Sequence, residues 1–169
     1  MLFRSLAACK PLGVGVAKFT ATSKFGATAL DASTSGGRIT TPAHADFNMG
    51  TGDFTIELWW NPVNAFVGGT FPTLFSYGYT TAGGIVAQTS TATSGAFILY
   101  LNGVAVCTEG SGVTSGSGYH FYMFKRSGTI VTITRDGVQT ASGTSSARDR
   151  KSTRLNSSHR LTSRMPSSA

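Results

Sequence analysis

The sequence predicts an all-β domain built as a sandwich of two antiparallel sheets. In Asp53–Pro62 (DFTIELWWNP), every second residue from Phe54 to Trp60 is apolar, which is the alternation of a half-buried strand. The dipeptides Asn102-Gly103 and Asp136-Gly137 are strong hairpin signals, because both central positions of a type I′ turn need positive φ. The chain has 21 glycines, only 12% charged residues and many short apolar runs. Such a pattern is typical of short strands joined by turns.

The basic charge of the chain lies at its ends. The whole sequence has 14 basic and 7 acidic residues, a net charge of +7, but the stretch from Leu6 to Ala147 has a net charge of only +1. A charge this small gives no footprint for the phosphates of a nucleic acid. No run of residues approaches the 18 apolar positions of a membrane-spanning helix. We therefore expect neither a nucleic-acid nor a membrane partner.

Both ends resemble translated reagent sequence. Asp149–His159 (DRKSTRLNSSH) and Ser163–Ala169 (SRMPSSA) match the reading of a widely used short-read library adapter, and Leu2–Ser5 (LFRS) matches its opposite strand. We expect residues 1–5 and 148–169 to be adapter-derived, the latter disordered, and the natural reading frame to continue at both ends. The competing interpretation is a natural, basic and serine-rich disordered tail.

The first half of the body contains few clear strands. Residues 6–22 are an uncertain N-terminal strand or linker, with a possible strand at Gly13–Phe19. Ser23–Leu30 is predicted as a strand with Phe25 and Leu30 in the core, and Arg38–Thr41 as a brief strand. The strand at Asp53–Pro62 follows a loop.

The second half reads as a series of hairpins. The Ser/Thr stretch Thr89–Gly95 is expected to be a loop, and Glu109–Gly118 a Gly/Ser-rich loop. The predicted strands are Pro72–Tyr77, Gly83–Gln88, Ala96–Leu101, Val104–Cys107, Tyr119–Lys125 and Thr129–Arg135, with a further strand beginning at Val138.

Two cysteines, Cys9 and Cys107, stand far apart in the sequence. Their spacing matches no zinc motif. A disulfide in an oxidising compartment and two separate buried thiols both remain open.

Four blocks occur in a fixed order: SKFGATAL from Ser23, ITTPAHADFNMGTGDFTIELWWNP from Ile39, AFILYLNG from Ala96, and YHFYMFKRSGTIVTITRDGV from Tyr119. They resemble the laminin-G-like branch of the concanavalin A-like lectin/glucanase superfamily, in the version common in phage tail, virion and bacterial surface proteins. The resemblance implies a jelly-roll sandwich over residues 23–147. It also implies an incomplete C-terminus, because the family continues through further strands to one that closes the sheet. We expect the free edges to make this polypeptide marginally stable or prone to aggregation.

The resemblance implies a non-catalytic module that binds a carbohydrate (a lectin-like role) or a cell-surface receptor, or that serves adhesion. Its location would be the virion tail or the extracellular surface, within a larger protein that could be a homo-oligomer. The first alternative is a purely structural spacer in a virion assembly. The second is a glycoside hydrolase whose catalytic acids lie in the missing part.

Candidate binding residues follow from the chemistry of sugars, which stack on aromatic rings and bond to polar loop groups. The aromatic platforms are Trp59, Tyr77, Tyr79 and Tyr119. An exposed aromatic cleft near Tyr77 would favour glycan binding, and a buried rim would favour the spacer.

Calcium is the one cofactor that the sequence leaves open. Asp31 and Asp46 supply the hard oxygen ligands that Ca²⁺ prefers. Asp31-Ala32 stands where the resembling family often has an Asp-Gly turn, which counts against such a site.

The sequence predicts no enzyme. Between Leu6 and Ala147 no two acids stand at i, i+2, so the paired carboxylates of a glycosidase are missing. The order of residues leaves a Ser/His/Asp arrangement open, but there is no G-x-S-x-G motif. His44 and His120 stand in no motif context, and His120 is expected to be an ordinary edge residue.

Overall fold

A computed structural model of the chain describes residues 18–21, 23–32, 37–40, 42, 47, 49, 52–65, 71–78, 83–91 and 94–145. In this part of the chain the regular structure is entirely β, with no α-helix. The ten strands are β1 Lys18–Thr20, β2 Ala29–Asp31, β3 Phe54–Trp60, β4 Thr73–Tyr77, β5 Ile85–Thr91, β6 Ser94–Leu101, β7 Val104–Thr108, β8 His120–Ser127, β9 Ile130–Arg135 and β10 Val138–Thr144.

Eight of these strands form two antiparallel four-stranded sheets. The first sheet has the order β10-β9-β8-β3 and the second has the order β4-β5-β6-β7, while β1 and β2 form a separate antiparallel pair. The two sheets pack face to face around one apolar core. The prediction of an all-β, two-sheet antiparallel sandwich is therefore confirmed, and the arrangement is compatible with a jelly roll.

The alternation in β3 places its apolar residues as predicted. Phe54 is buried, and Ile56, Leu58 and Trp60 pack against the core cluster, whereas the intervening residues are exposed. Rings dominate the contact between the sheets. The Trp60 and Phe97 centroids are 4.8 Å apart in an edge-to-face arrangement. The fully buried members of the core include Phe97, Leu99, Tyr122, Phe124, Val131 and Ile133.

Both predicted hairpin turns form with the required backbone geometry. Asn102 and Gly103 have φ of 53° and 76°, and Asp136 and Gly137 have φ of 51° and 83°. Two consecutive positive values are the signature of a type I′ turn, which matches the twist of the flanking strands. These turns fix the registers of β6 with β7 and of β9 with β10.

The N-terminal part of the body differs from the prediction. Ser23–Leu30 is not a strand: residues 24–27 are bends, and only Ala29–Asp31 pairs, with β1. Phe25 and Leu30 are 69% and 44% exposed, so neither belongs to the core. The Phe25 ring instead lies edge-on against Trp59. Residues 38–40 also form no strand.

The predicted loop Thr89–Gly95 is largely strand, since β5 runs to Thr91 and β6 begins at Ser94. Ladder pairing of Thr89 with Phe97 and of Thr91 with Ser94 outweighs the loop propensity of serine and threonine.

One side of the sandwich is closed by a direct approach of backbones. β7 and β10 are edge strands of different sheets, and Gly143 on β10 lies against Val106 on β7. A Cβ atom on Gly143 would overlap the Val106 carbonyl oxygen. Glycine at this position therefore allows the two edges to meet.

Several sequence predictions fall on residues outside the described part: Tyr79, Asp46, both adapter-like ends and most of residues 6–22. Within the described part, no helix is long and apolar enough to cross a membrane.

Candidate functional site

The first sheet presents a broad surface on the side opposite the core, here called the outer face. Strand alternation directs Trp59 and Glu57 of β3 and Phe121 of β8 to this side, because their neighbours in sequence face inward. The other side chains of the outer face are Thr55, Met123, Lys125, Ser127, Ile130, Thr132, Thr134 and Gln139.

A cluster of three aromatic rings lies at one end of the outer face. Trp59 stands opposite Phe121 in the β3–β8 ladder, with ring centroids 5.3 Å apart. Phe25 approaches Trp59 edge-on at 5.6 Å, and the Lys24 ammonium lies 4.7 Å from the Trp59 ring centroid. Trp59 and Phe25 keep 40% and 69% of their surface exposed. The cluster is thus an apolar platform that remains open to solvent.

A shallow trough of about 350 Å³ follows the aromatic cluster along the outer face. Phe121 and Met123 are two residues apart on β8 and so share this face, which joins the cluster to the trough. The trough is lined by hydroxyl, amide and ammonium groups together with two apolar side chains. Its lining residues are Met123, Lys125, Ser127, Ile130, Thr132, Thr134 and Gln139.

The sequence-predicted platform residues do not gather in one place. Trp59 lies on the outer face, whereas Tyr77 ends β4 in the second sheet, half-buried and packed against the core. Tyr119 is half-buried just before β8. Tyr79 lies outside the described residues. Of the three predicted platform residues that the structure describes, only Trp59 is exposed, and Phe25 lies beside it.

The described residues assemble no donor set for calcium. Asp31 ends β2 and is half-buried, and Asp46 lies outside the described part. Nowhere in the described ranges do three or more His, Cys, Asp or Glu side chains group in a way that could hold a metal ion. Cys107 is a buried free thiol, and burial raises its pKa to about 11.

A second site lies at the end of the sandwich where β8 begins; its residues Ser117, His120 and Asp136 are here called the Ser117 cluster. Asp136 Oδ2 lies 2.6 Å from His120 Nδ1, and Ser117 Oγ lies 2.9 Å from His120 Nε2. Asp136 Oδ1 also accepts the Phe121 amide at 2.8 Å. Asp136 and Ser117 thus lie within hydrogen-bond distance of the two ring nitrogens of His120.

Backbone contacts hold each member of the Ser117 cluster. The Asp136 amide donates to the Phe121 carbonyl at 2.8 Å, which fixes the β9–β10 turn beside the first residue of β8. The loop that carries Ser117 is bound to the segment after β3: the Gly116 amide donates to Pro62 O at 2.7 Å. The Ser117 hydroxyl also has a 2.6 Å contact with Thr114 O.

A shallow cavity of about 290 Å³, largely open to solvent, lies beside the cluster and is lined by Ser117, His120 and Arg135, with residues 112–114. Arg135 donates to Ser111 O at 3.1 Å and lies 3.6 Å from the Glu109 carboxylate. Glu109 has no exposed side-chain surface. The buried carboxylate therefore balances and orients the guanidinium at the cavity wall.

The charge state of Asp136 follows from its contacts. Its partial burial favours the neutral acid, but the hydrogen bonds from His120 and the Phe121 amide outweigh burial and hold the pKa below its ordinary value of 3.8. Asp136 is thus a carboxylate at neutral pH and only accepts hydrogen bonds. His120 Nδ1 must then be the donor to Asp136, and Nε2 is an acceptor toward Ser117 when it carries no proton.

Sequence reasoning did not identify Phe121, Phe25, Ser117 or Asp136 as site residues. For Phe121 the sequence held part of the signal, since its alternation with Tyr122 places it on the opposite face of its strand from Tyr122. Its position beside Trp59 follows from the pairing of β3 with β8, which the sequence does not show. In the Ser117 cluster, Ser117 and His120 are only three residues apart in the sequence. The contact with Asp136, 16 residues from His120, depends on the pairing of β8 with β9 and has no local signal.

Comparisons of the chain with protein-family models, with curated proteins and with solved structures found no match.

Proposed function

We propose that this chain is a laminin-G-like recognition module of a viral tail or bacterial surface protein that binds a glycan on its outer face. The family assignment is supported by the four ordered sequence blocks, with which the two-sheet sandwich is compatible. The binding site is supported by one main observation: an exposed ring cluster that runs directly into a polar trough on the same sheet face.

The chemistry of the outer face suits a neutral sugar. The C–H faces of a pyranose pack against aromatic rings, and its hydroxyls need donors and acceptors nearby. Trp59 and Phe25 provide the rings, while Gln139, Thr132 and Thr134 provide amide and hydroxyl groups. Among the described residues that line the trough, Lys125 is the only basic one, so they lack the cationic density that a phosphate backbone requires.

The proposal assigns recognition and no catalysis to the outer face. Glu57 is the acid that β3 presents there, and none of the described residues that line the trough carries a carboxylate. Hydrolysis of a glycosidic bond needs two carboxyl groups across the bond. The alternative function, a structural spacer, predicts instead that the chain binds no free glycan.

The test is a glycan-array screen of the full chain, followed by calorimetry with the best ligand for the Trp59→Ala and Phe25→Ala variants. We expect each variant to weaken binding roughly two- to tenfold, because an aromatic contact contributes about 0.5–1.5 kcal/mol. Phe71→Ala is the matched control, since Phe71 is 51% exposed and lies just before β4, in the other sheet.

Two results would contradict the proposal. The first is equal loss of affinity in Phe71→Ala, which would indicate non-specific binding to exposed rings. The second is unchanged affinity in both outer-face variants. Absence of binding to any glycan on the array would favour the spacer.

A further inference from the structure

The Ser117 cluster has the geometry of a nucleophile with its base. A general base must lie within about 2.6–3.2 Å of the group whose proton it takes, and His120 Nε2 lies 2.9 Å from Ser117 Oγ. The base must itself be held by a third group, and Asp136 Oδ2 lies 2.6 Å from Nδ1 on the far side of the ring. Both conditions are met without any rearrangement of the chain.

The local sequence keeps Ser117 accessible. Ser117 stands between Gly116 and Gly118, which have φ of 75° and 89°. Residues that carry a Cβ atom rarely adopt such φ values, so the glycines on both sides let the backbone turn sharply around Ser117. A Cβ atom at either glycine would meet nothing within 4 Å, which leaves the approach to Ser117 open.

The hydroxyl proton of Ser117 has two acceptors within reach. One is Thr114 O at 2.6 Å, and the other is His120 Nε2. Because a hydroxyl has one proton and rotates freely, the bond to Thr114 holds the resting side chain and a small rotation directs the proton to the base. The serine is thus already placed where its proton can be removed.

The cavity supplies room and charge for a substrate. Its volume of about 290 Å³ accommodates a small acyl group, and Arg135 lines it together with Ser117 and His120. The guanidinium is held by Glu109 and Ser111, and a fixed cation beside a nucleophile stabilises negative charge that develops on a carbonyl oxygen.

We propose that the Ser117 cluster is a serine-nucleophile site that hydrolyses carboxylic esters of small acyl groups. Ser117 Oγ bonds to the carbonyl carbon while His120 Nε2 takes the hydroxyl proton, and Arg135 stabilises the oxyanion. The C–O bond to the alcohol then breaks, and the alcohol leaves with the proton from Nε2. Water then attacks the acyl-serine carbonyl carbon as His120 Nε2 takes a proton from the water. The bond between that carbon and Ser117 Oγ breaks, Oγ receives the proton from Nε2, and the carboxylic acid leaves.

This activity is separate from the outer face. His120 shares strand parity with inward-facing Tyr122, whereas Phe121 faces outward with Trp59. The proposal therefore does not depend on glycan binding, and Ser117→Ala is expected to leave any glycan affinity unchanged.

The experiment combines a fluorophosphonate probe, read by intact mass and peptide mapping, with turnover of p-nitrophenyl acetate by the full chain. We expect one adduct, located on Ser117, and none in Ser117→Ala. Ser115→Ala is the matched control, since this exposed serine of the same loop bonds Val63 O and lies outside the cavity lining. Its labelling and turnover should equal those of the parent chain.

The roles of His120 and Asp136 are tested by substitutions that keep the approximate size of each side chain. His120→Gln should slow labelling about 100-fold or more, because a general base contributes 10²–10⁴ in rate. Asp136→Asn keeps the left-handed turn, which asparagine tolerates, and should also slow labelling at least tenfold.

Three outcomes would overturn the proposal: no adduct on Ser117 in the folded chain, equal labelling of Ser117→Ala, or labelling that neither His120→Gln nor Asp136→Asn changes. The last outcome would mean that the three side chains only clasp the β9–β10 turn to β8.

Discussion

Glu109 shows how one side chain can organise several strands. Its carboxylate accepts the Phe97 amide at 2.8 Å and the Thr140 hydroxyl at 2.6 Å, and Arg135 lies 3.6 Å away. These partners belong to β6, β10 and β9. If the Glu109 carboxylate were removed, each of these three groups would lose a partner, and water would not replace it because the site is buried.

We expect Glu109→Ala to lower the free energy of unfolding by about 3 kcal/mol, since the change leaves the Arg135 charge without its buried counter-ion. Urea denaturation followed by circular dichroism measures the effect. Glu57→Ala is the control, because Glu57 is exposed and its loss should cost less than about 0.5 kcal/mol. Equal effects of the two substitutions would show that Glu109 contributes no more than a surface charge.

The role of Glu109 could not be predicted from sequence. It opens the stretch Glu109–Gly118, whose Gly and Ser content indicates a solvated loop. Its burial depends on a contact with Thr140, 31 residues away, and that contact exists only once the two sheets pack. The position of Trp59, in contrast, could be predicted, because strand alternation alone places its ring on the face opposite the core.

At the scale of elements, local turn chemistry was predictable and pairing was not. Asn102-Gly103 and Asp136-Gly137 form the expected turns because φ > 0 is a property of the dipeptide itself. The ends of β5 and β6 and the brevity of β2 depend on which strand lies alongside. Short alternating runs such as Ser23–Leu30 carry no information about that neighbour.

The contact between β7 and β10 gives a sharp test of how the sheets close. Gly143→Ala would push a methyl group into the Val106 carbonyl, so one edge strand must shift. We expect a loss of about 2 kcal/mol or more in thermal or urea unfolding. Gly110→Ala is the matched control, since a Cβ atom there meets nothing within 4 Å. Stability unchanged in Gly143→Ala would mean that the edges do not touch in solution.

For the whole molecule, Cys107 provides a measure of global opening. The thiol lies in the core between the sheets, 3% exposed, and burial raises its pKa to about 11. At pH 8 only about 0.1% of such a thiol is the reactive thiolate. Burial of the Cys107 thiol in the core and its protonation therefore both slow its reaction with an alkylating reagent.

We expect Cys107 in a Cys9→Ser variant, where it is the sole thiol, to react with iodoacetamide at least about 1,000-fold more slowly in buffer than in denaturing urea. At intermediate urea the rate should follow the unfolding equilibrium. Prompt modification in buffer, with circular dichroism unchanged, would show that the core opens locally at β7.

The pair Trp59-Trp60 gives the molecule two optical reporters in one dipeptide. The sequence has only these two tryptophans, and strand alternation sends them to opposite sides of the same sheet. Trp60 emits from among the Phe97 and Tyr122 rings, and Trp59 emits from the solvent-exposed surface. A ligand on the outer face should alter the long-wavelength part of the fluorescence alone, whereas loss of the core should shift the short-wavelength part. A single emission spectrum can thus separate occupancy from unfolding.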